Sequence, residues 1–279
     1  MIDLHTHSSA SDGSLSPAQL VENAQQQGLS ALALTDHDTI AGIEEAKQEA
    51  QKSTLRFIPG IEIEITWEPG EFHLLGLGIY QPGSAFLEAL AELAQLRERR
   101  NRKIIQRMQE WRISVTYEDI VSLSRGHSIG RPHFASLLVK WGMVKSQEEA
   151  FSRYLGRGRP FYVPKEGMEF RRAVQLIKEA GGIAVLAHPM SLYVAWGHLP
   201  DMIKNLQAQG LNGIEAWHPT AKVRSCKRLE ELGKSLGLCI TAGSDFHGET
   251  RPDRKLGITA GNIKIDEEVL AAIPALREI

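Results

Sequence analysis

The sequence predicts an α/β protein built as a seven-stranded barrel with a small helical insertion, and two observations lead to this fold class. Short apolar runs rich in β-branched residues alternate with helical patterns over residues 1–80 and again from about Gly181, which is typical of βα units around parallel strands. The middle of the chain, in contrast, contains only helical patterns. We therefore expect one barrel domain that is interrupted by a helical segment.

Seven apolar runs are the predicted strands, and seven strands favour a barrel over an open sheet. Ser16 followed by Pro17 predicts the start of a helix, because serine caps helices and proline fits their first turn, and Gly28 predicts its end. Residues 173–180 have helical spacing before the stop at Gly181. The predicted strands cover residues 2–7, 31–35, 57–65, 72–79, 183–187, 213–217 and 238–243.

The predicted insertion covers residues 100–159, between barrel segments at residues 1–99 and 160–279, and we expect it to cover the active site. Residues 97–159 contain fourteen Lys/Arg and six Asp/Glu, so this part has a net charge of +8 and the rest of the chain −10. The asymmetry favours an anionic partner for the basic part, although solvated helix faces would also account for the run at residues 97–103. The helical patterns of the middle region cover residues 85–111, 117–124, 133–141 and 147–155.

Composition limits the class of protein. With 42% hydrophobic and 24% charged residues, the chain suits a globular domain and not a disordered or fibrous one. No run approaches the ~20 consecutive apolar residues of a membrane-spanning helix, and the first residues do not resemble a signal peptide. We therefore expect a soluble cytoplasmic protein without a membrane or obligate protein partner. Only Cys226 and Cys239 occur, so nitrogen and oxygen ligands would have to hold any metal.

Residues able to bind a metal lie at the end of nearly every predicted strand. Side chains at the carboxyl ends of parallel barrel strands converge on one mouth of the barrel, where such folds have their active sites. The sequence thus predicts that residues far apart in the chain form one cluster. The candidate residues are His5, His7, Asp36, His37, Glu62, Glu64, His73, His188, His218, Asp245 and His247.

Several of these signals are weak alone and have a structural alternative. His5 and His7 are two positions apart, so a strand would place both imidazoles on one side, but two exposed histidines also occur by chance. Asp12 precedes a glycine and could be only a turn residue. Asp38 could cap the helix that follows, which would leave only His37 facing the cluster.

Glu62 and Glu64 lie on an otherwise apolar run, where an unpaired buried carboxylate would be strongly unfavourable. A bridging role between two cations would resolve this, although both side chains could instead face solvent on an edge strand. The alternative for His73, His188 and His218 is that each is an ordinary buried histidine of the barrel.

The chain resembles the polymerase and histidinol phosphatase (PHP) family in the ordered segments HTHSSASDG, LTDHD, AHP and GSDFH, together with the Glu62 strand and His73. The resemblance spans nearly the whole predicted barrel. Each segment is weak alone, but the complete ordered set is highly specific. The resemblance implies a distorted seven-stranded barrel with two or three divalent cations, in agreement with the seven predicted strands.

The same resemblance implies a set of metal ligands. Asp12 stands where other members have histidine, so a third site would be weaker or filled only together with substrate. Mixed imidazole and carboxylate ligands suit manganese, zinc or iron, and we expect manganese. The first cation would be bound by His5, His7, Glu62 and Asp245, the second by Glu62, His73 and His188, and the third by Asp12, His37 and His247, so that Glu62 bridges the first two.

The insertion resembles a subgroup of nucleoside 3',5'-bisphosphate phosphatases that also act as 5'-to-3' exoribonucleases. The resemblance lies in residues 128–135 and 154–160. Arg131 would bind the 5'-phosphate, because a planar guanidinium can bind two oxygens at once, but a surface arginine near a helix start is the alternative. The other expected substrate contacts are His133, Arg157 and His218.

These expectations combine into one function. The protein would be a metal-dependent phosphoesterase that removes the 3'-phosphate of nucleoside 3',5'-bisphosphates and trims short 5'-phosphorylated RNA from its 5' end. Cations would activate a water and stabilise the attacking and leaving oxygens, with Glu62, His188 and Asp245 as catalytic residues. The alternatives are a phosphatase for a small metabolite such as histidinol phosphate, and a non-catalytic module that binds metal or nucleotide.

Overall fold

The computed structural model describes residues 1–124 and 129–276. The chain divides into two compact units, of which the first combines Met1–Leu90 with Gly167–Ile279 and the second is Ala91–Glu166. The predicted insertion at residues 100–159 falls inside the second unit. Among the described residues, no helix combines the length and apolar character that are needed to span a membrane.

The first unit contains one seven-stranded sheet whose strands follow one another in chain order, and this sheet curves into a nearly closed barrel. The predicted fold class is confirmed. A separate antiparallel pair of two short strands lies near the end of the chain. The strands are β1 (Ile2–Asp3), β2 (Ala31–Leu34), β3 (Arg56–Ile65), β4 (Phe72–Leu77), β5 (Ile183–Leu186), β6 (Gly213–Trp217), β7 (Cys239–Ala242), β8 (Ile258–Thr259) and β9 (Ile263–Lys264).

One strand of the barrel runs against the others. β4 pairs antiparallel with both β3 and β5, whereas the remaining neighbours pair in parallel. The expectation of parallel strands was wrong here, because residues 66–71 are too few for the crossover of a dozen or more residues that parallel pairing requires. His73 consequently lies near the start of its strand, opposite Glu64. It still reaches the mouth of the barrel, because β4 runs in the opposite direction.

The ends of β1 and β7 come together across the closing seam of the barrel. β1 is shorter than the predicted strand at residues 2–7, but the chain after it continues beside the chain after β7, with a parallel bridge between Thr6 and Phe246. The amide of Asp245 donates to the carbonyl of His5 at 2.8 Å, and the amide of His7 donates to the carbonyl of Phe246 at 2.9 Å. These contacts place ligand candidates from both ends of the chain side by side.

The helices agree closely with the sequence patterns. Ser16 caps the first helix, as predicted, and its hydroxyl accepts from the Gln19 amide at 3.2 Å. The pattern at residues 147–155 is a short α-helix followed by a π-helix, Phe151–Leu155. The α-helices are α1 (Pro17–Gln26), α2 (Ile43–Ala50), α3 (Ser84–Glu110), α4 (Tyr117–Ser124), α5 (Arg131–Lys140), α6 (Gln147–Ala150), α7 (Phe170–Glu179), α8 (Leu199–Ala208), α9 (Val223–Ser235) and α10 (Glu267–Ala271).

Buried apolar side chains hold each unit together. In the first unit, Ile58, Leu75 and Val185 belong to a cluster that joins the barrel strands, and helices α1 and α2 pack on β2 through a second cluster. In the second unit, Phe134 and Phe161 are fully buried among residues of α3, α4 and α5. No strand occurs among the described residues of the second unit, as the helical patterns predict.

Candidate metal centre

The candidate ligands lie at one mouth of the barrel. His5 and His7 follow β1, His37 follows β2, and His188 follows β5. Other candidates at this mouth are Glu62 and Glu64 within β3, His73 near the start of β4, and Asp245 and His247 after β7. Six separate segments of the barrel therefore supply the side chains of a single cluster.

Glu62 is the centre of this cluster and is 1% exposed. Its Oε1 lies 2.9 Å from both His73 Nδ1 and His188 Nε2. Its Oε2 faces a different group, at 3.0 Å from His37 Nδ1 and 3.3 Å from His7 Nε2. A carboxylate whose two oxygens face two sets of imidazoles has the arrangement of a bridging ligand.

The first group of ligand atoms consists of His5, His7, Glu62 and Asp245, and these atoms all lie within 4.8 Å of one another. His5 Nε2 lies 3.1 Å from His7 Nε2, so two imidazole nitrogens point at the same place. Asp245 Oδ1 lies 3.0 Å from His7 Nε2. The group has the same members as the first site that the family resemblance implies.

The second group surrounds the other oxygen of Glu62. His73 Nδ1 lies 3.3 Å from His188 Nε2, and both nitrogens contact Glu62 Oε1. Glu64 contacts the other nitrogen of His73, Nε2, at 3.1 Å and thereby orients the ring. The alternative that both glutamates face solvent is wrong, because Glu62 is 1% exposed and Glu64 8%.

A third group contains Asp12, His37 and His247, together with His7. Asp12 Oδ1 lies 3.2 Å from His247 Nε2, whereas its Oδ2 is 3.9 Å from His37 Nε2. His7 contributes its other nitrogen, Nδ1, at 3.8 Å from Asp12. His7 thus lies between the first and third groups, a position that the resemblance did not assign to it.

Divalent cations fit this set of residues. Glu62 Oε2 and His7 Nδ1 are buried, and neither forms a hydrogen bond of suitable geometry, although His37 Nδ1 lies close to Glu62 Oε2. Buried polar atoms without a partner cost free energy, which coordination to a cation would offset. Nitrogen and carboxylate oxygen donors suit first-row divalent metals such as manganese, iron and zinc.

The side chains of the cluster strongly influence one another's ionisation. Burial alone would lower the pKa of His5, but the carboxylates of Glu215 and Glu62 raise that pKa to about 10. Burial would likewise lower the pKa of His73, but the carboxylates of Glu62 and Glu64 raise it to about 10. Burial instead holds the pKa of His37 well below its usual range. Cations entering the centre would therefore compete with protons for some of the imidazoles.

Two carboxylates near the cluster have structural roles. Asp36 accepts hydrogen bonds from the Ser8 amide at 2.8 Å and from the Ser11 hydroxyl at 2.5 Å, so it fixes the turn after His7. Asp38 accepts from the amide of Glu64 at 2.8 Å. The expectation that Asp38 caps the next helix was wrong, because α2 begins only at Ile43, after Gly42.

Glu215, which is fully buried on β6, was not among the predicted site residues. Its Oε1 lies 2.9 Å from His5 Nδ1, and its Oε2 accepts the backbone amide of His188 at 2.8 Å. One carboxylate therefore holds two ligand candidates in place. The sequence did contain a signal for this residue. Like Glu62 on β3, Glu215 is an acidic residue inside an apolar strand, where a buried carboxylate needs a partner.

Arg254 was also missed, and it contacts the side chain of Asp245. It is 7% exposed, and its Nε has no hydrogen-bond partner. His218, an expected substrate contact, approaches the same carboxylate oxygen of Asp245 at 3.2 Å and is 3% exposed. Its other nitrogen bonds to the Thr220 hydroxyl at 2.8 Å. The Oδ2 atom of Asp245 thus has two basic neighbours, His218 and Arg254.

The other expected substrate contacts belong to the second unit. Arg131 is the first residue of α5, and its guanidinium lies 5.7 Å from the ring centroid of Phe151 and 5.8 Å from that of Tyr162. His133 Nδ1 accepts from the amide of Gly130 at 3.2 Å and thereby caps its own helix. Arg157 is exposed in the turn after the π-helix. Residue 128 of the expected motif lies outside the described residues.

The fold and the cluster define a class of protein, namely an α/β barrel enzyme whose histidines and carboxylates assemble a centre for divalent cations at the barrel mouth. The sequence matches the model of the PHP domain over residues 3–162. The chain therefore belongs to the PHP family, and it is a metal-dependent phosphoesterase.

Comparisons with known proteins agree with this assignment. The chain is 36% identical over 245 residues to a 5'-3' exoribonuclease of Haemophilus influenzae, covering 88% of this chain and 89% of the relative. It is 32% identical over 259 residues to a 3',5'-nucleoside bisphosphate phosphatase of Chromobacterium violaceum, and this match covers 92% of this chain and 91% of the relative. A solved structure from Chromobacterium violaceum, described as an amidohydrolase with bound sulfate, superimposes with a TM-score of 0.84 at 30% identity and covers 99% of this chain and 98% of its own.

Proposed function

We propose that the protein removes the 3'-phosphate from nucleoside 3',5'-bisphosphates and trims short 5'-phosphorylated RNA in the 5'-to-3' direction. One relative is named for the exoribonuclease activity and another for the bisphosphate phosphatase activity, which supports these substrates. Each match covers about nine tenths of the chain. The sulfate bound in the Chromobacterium structure supports a site for a tetrahedral dianion. A cytoplasmic location is part of the proposal, because nucleotides and RNA are the substrates.

The observation that carries the proposal is the position of Glu62 between two sets of imidazoles. His73 and His188 face one of its oxygens, and His37 and His7 face the other. We infer that Glu62 would help to hold two cations, that Asp12, His37 and His247 would hold a third, and that manganese is the preferred metal. When bound, the cations stabilise negative charge on the attacking and leaving oxygens of a phosphate ester.

The residues of the chain fix the positions of the ligands. His188 and Asp245 have positive φ angles of 26° and 51°, so each side chain leaves its strand end in a direction that ordinary strand geometry does not provide. We assign catalytic roles to Glu62, His188 and Asp245 as residues that would hold the cations needed for phosphate hydrolysis. His218 and Arg254, which flank Asp245, are close enough to this carboxylate to restrict its orientation.

The first test measures release of inorganic phosphate from adenosine 3',5'-bisphosphate in the presence of manganese. His188→Ala and Asp245→Ala should abolish turnover and reduce bound manganese, because each removes a ligand. His198→Ala is the matched control, since this histidine is exposed and lies outside the cluster. Near wild-type turnover in either ligand variant, with metal still bound, would exclude the assignment.

Arg131 is proposed to bind the 5'-phosphate that stays on the product, with His133 and Arg157 as further contacts and His218 near the sugar. Arg131→Ala should then lose about 2 to 5 kcal/mol of transition-state stabilisation for substrates with a 5'-phosphate, the range for truncating one partner of a buried charge pair. Steady-state rates on adenosine 3',5'-bisphosphate and on adenosine 3'-monophosphate make the comparison. Arg99→Ala, an exposed arginine of the same unit, is the control. Equal losses on both substrates would contradict this role.

The alternative substrate class is a small metabolite, for which histidinol phosphate is the test compound. Faster phosphate release from histidinol phosphate than from adenosine 3',5'-bisphosphate would replace the proposed function with that alternative. No release from either compound, with manganese bound, would favour a non-catalytic binding module.

A further inference from the structure

A groove between α2 and the β3–β4 hairpin lies outside the metal centre. Its volume is about 690 Å³, which falls within the range of roughly 300 to 1,000 Å³ for small-molecule sites. Arg56 lines the groove at the start of β3, whereas Glu62 lies six residues further along the same strand. Six residues of extended strand span about 20 Å, so the groove and the metal centre are separate sites.

The groove follows from the reversal of β4. A βα unit would continue from β3 into a helix, and that helix would cover the strand and the free face of α2. Here β3 passes directly into β4 through residues 66–71, so this covering helix is missing. The surface that remains open is largely apolar. Its apolar residues include Ile40, Ile43, Phe57, Pro59 and Ile79.

Arg56 brings a positive charge to this apolar surface. Its Nε and Nη2 atoms are buried and have no hydrogen-bond partner. A buried charged donor without a partner is unfavourable, and an anion that accepts from the guanidinium would remove the penalty. Lys47 adds a second cation to the lining, while the acid of the lining, Glu44, already accepts from Gln48 at 2.9 Å.

We propose that this groove binds a small amphipathic anion, whose carboxylate or phosphate head pairs with Arg56 and whose hydrocarbon or aromatic body packs on the apolar walls. Two features favour this class of ligand. The positive charge of Arg56 selects an anionic head, and the largely apolar walls favour a hydrocarbon or aromatic body. A ligand that has only one of the two parts would leave either the guanidinium or the apolar surface without a partner.

Anilinonaphthalene sulfonate is a suitable probe, because it combines an anionic group with an aromatic body. Its fluorescence is titrated with the metal-loaded wild-type protein and with Arg56→Gln, Ile43→Gln and, as a control, Arg224→Gln on the exposed face of α9. Phosphatase activity of each variant verifies folding, since none of these residues belongs to the metal centre. Octanoate, octyl phosphate, octanol and inorganic phosphate then compete with the probe.

We expect saturable binding to the wild type and to Arg224→Gln, and about tenfold weaker binding to Arg56→Gln and Ile43→Gln, the loss that corresponds to one charge-assisted hydrogen bond or one apolar contact. Octanoate or octyl phosphate should displace the probe better than octanol in the wild type but not in Arg56→Gln, and the stronger of the two identifies the head group. Unchanged binding by Arg56→Gln would overturn the proposal. Displacement by inorganic phosphate as effective as by octyl phosphate would also overturn it, because the apolar body would then contribute nothing.

Discussion

His188 and Asp245 combine an unusual backbone with a ligand position. Positive φ angles in residues other than glycine are uncommon and cost about 1 to 3 kcal/mol each, so surrounding contacts have to stabilise them. The His188 amide donates to Glu215, and the Asp245 amide donates to the carbonyl of His5. Glu215 also bonds to the ring of His5. The buried carboxylate of Glu215 is therefore linked directly to His188 and, through His5, to Asp245.

Glu215→Gln should weaken manganese binding by roughly 10- to 100-fold, the usual effect of losing a carboxylate that orients a ligand histidine. The glutamine keeps the size of the side chain but removes the charge that fixes the His5 ring. Competition with a metal-indicator dye measures the affinity. We expect excess manganese to restore turnover, because the ligands themselves remain.

Glu231→Gln, an exposed residue of α9, is the matched control and should bind manganese like the wild type. Thermal unfolding of both metal-free variants provides a second readout. If Glu215→Gln lowered the stability of the metal-free protein and left manganese affinity unchanged, Glu215 would be a structural residue only.

The sequence predicted some residues of the metal centre but not others. The alternation of His5 and His7 and the carboxylate of Glu62 on an apolar strand predict inward-facing side chains from local pattern alone. Arg254 gave no such signal, because its partner Asp245 and its burial depend on how a loop folds back over the barrel mouth. Local pattern reports which way a side chain leaves its strand, but not which distant partner it meets.

Close packing sets the distance between helices and strands. Gly233 on α9 faces β6 and β7, where an added Cβ would lie 2.5 Å from Ile240 Cδ1 and 2.8 Å from Ile214 Cδ1. Gly243, just after β7, is even more constrained, since its Cβ would lie 2.2 Å from the Cβ of His5. Glycine at these positions allows a helix and a ligand segment to approach the barrel closely.

Gly233→Val should destabilise the protein by about 3 kcal/mol, because extra methyl groups in a packed interface force neighbouring side chains out of their positions. Urea unfolding of the metal-free protein measures the change. Ser235→Val is the control, because Ser235 lies two residues further along α9 and is exposed. A valine there affects the stability of the helix but does not enter the packed interface. Equal effects of the two substitutions would show that the close approach of α9 contributes little.

Element types were predictable where the period of the pattern was clear, as in α1 and α3. The direction of β4 was not predicted, because apolar alternation is the same in parallel and antiparallel strands, and only the length of the connection distinguishes them. β1 was predicted too long for a related reason. The residues after Asp3 keep the side-chain alternation of a strand. The regular hydrogen-bonded pairing nevertheless ends at Asp3, and beyond it only the isolated bridge between Thr6 and Phe246 remains.

The metal centre links segments that are far apart in the sequence. The ligands that the family resemblance implies follow or belong to six of the seven barrel strands, from His5 to His247. Cations bound there would connect both ends of the barrel unit, so they would bind the folded chain and not the unfolded one. Metal binding should therefore stabilise the fold directly.

Removing divalent metal with a chelator should lower the midpoint of thermal unfolding, and manganese at about a hundred times its dissociation constant should raise it by roughly 5 to 10 °C. Scanning calorimetry of the chelated and reconstituted protein checks this. In Asp245→Ala the increase should be much smaller, because one ligand is missing. An equal increase in that variant would place the stabilising metal elsewhere.

The reversed strand β4 also affects the order in which the chain can fold. Its hairpin with β3 closes a loop of only six residues, residues 66–71, whereas the parallel pairs must close much longer loops and lose more chain entropy before they form. Local pairings form fastest, within microseconds for a simple hairpin, so β3 and β4 should meet first. Glu62, Glu64 and His73 would then be assembled while the other ligand segments are still separate.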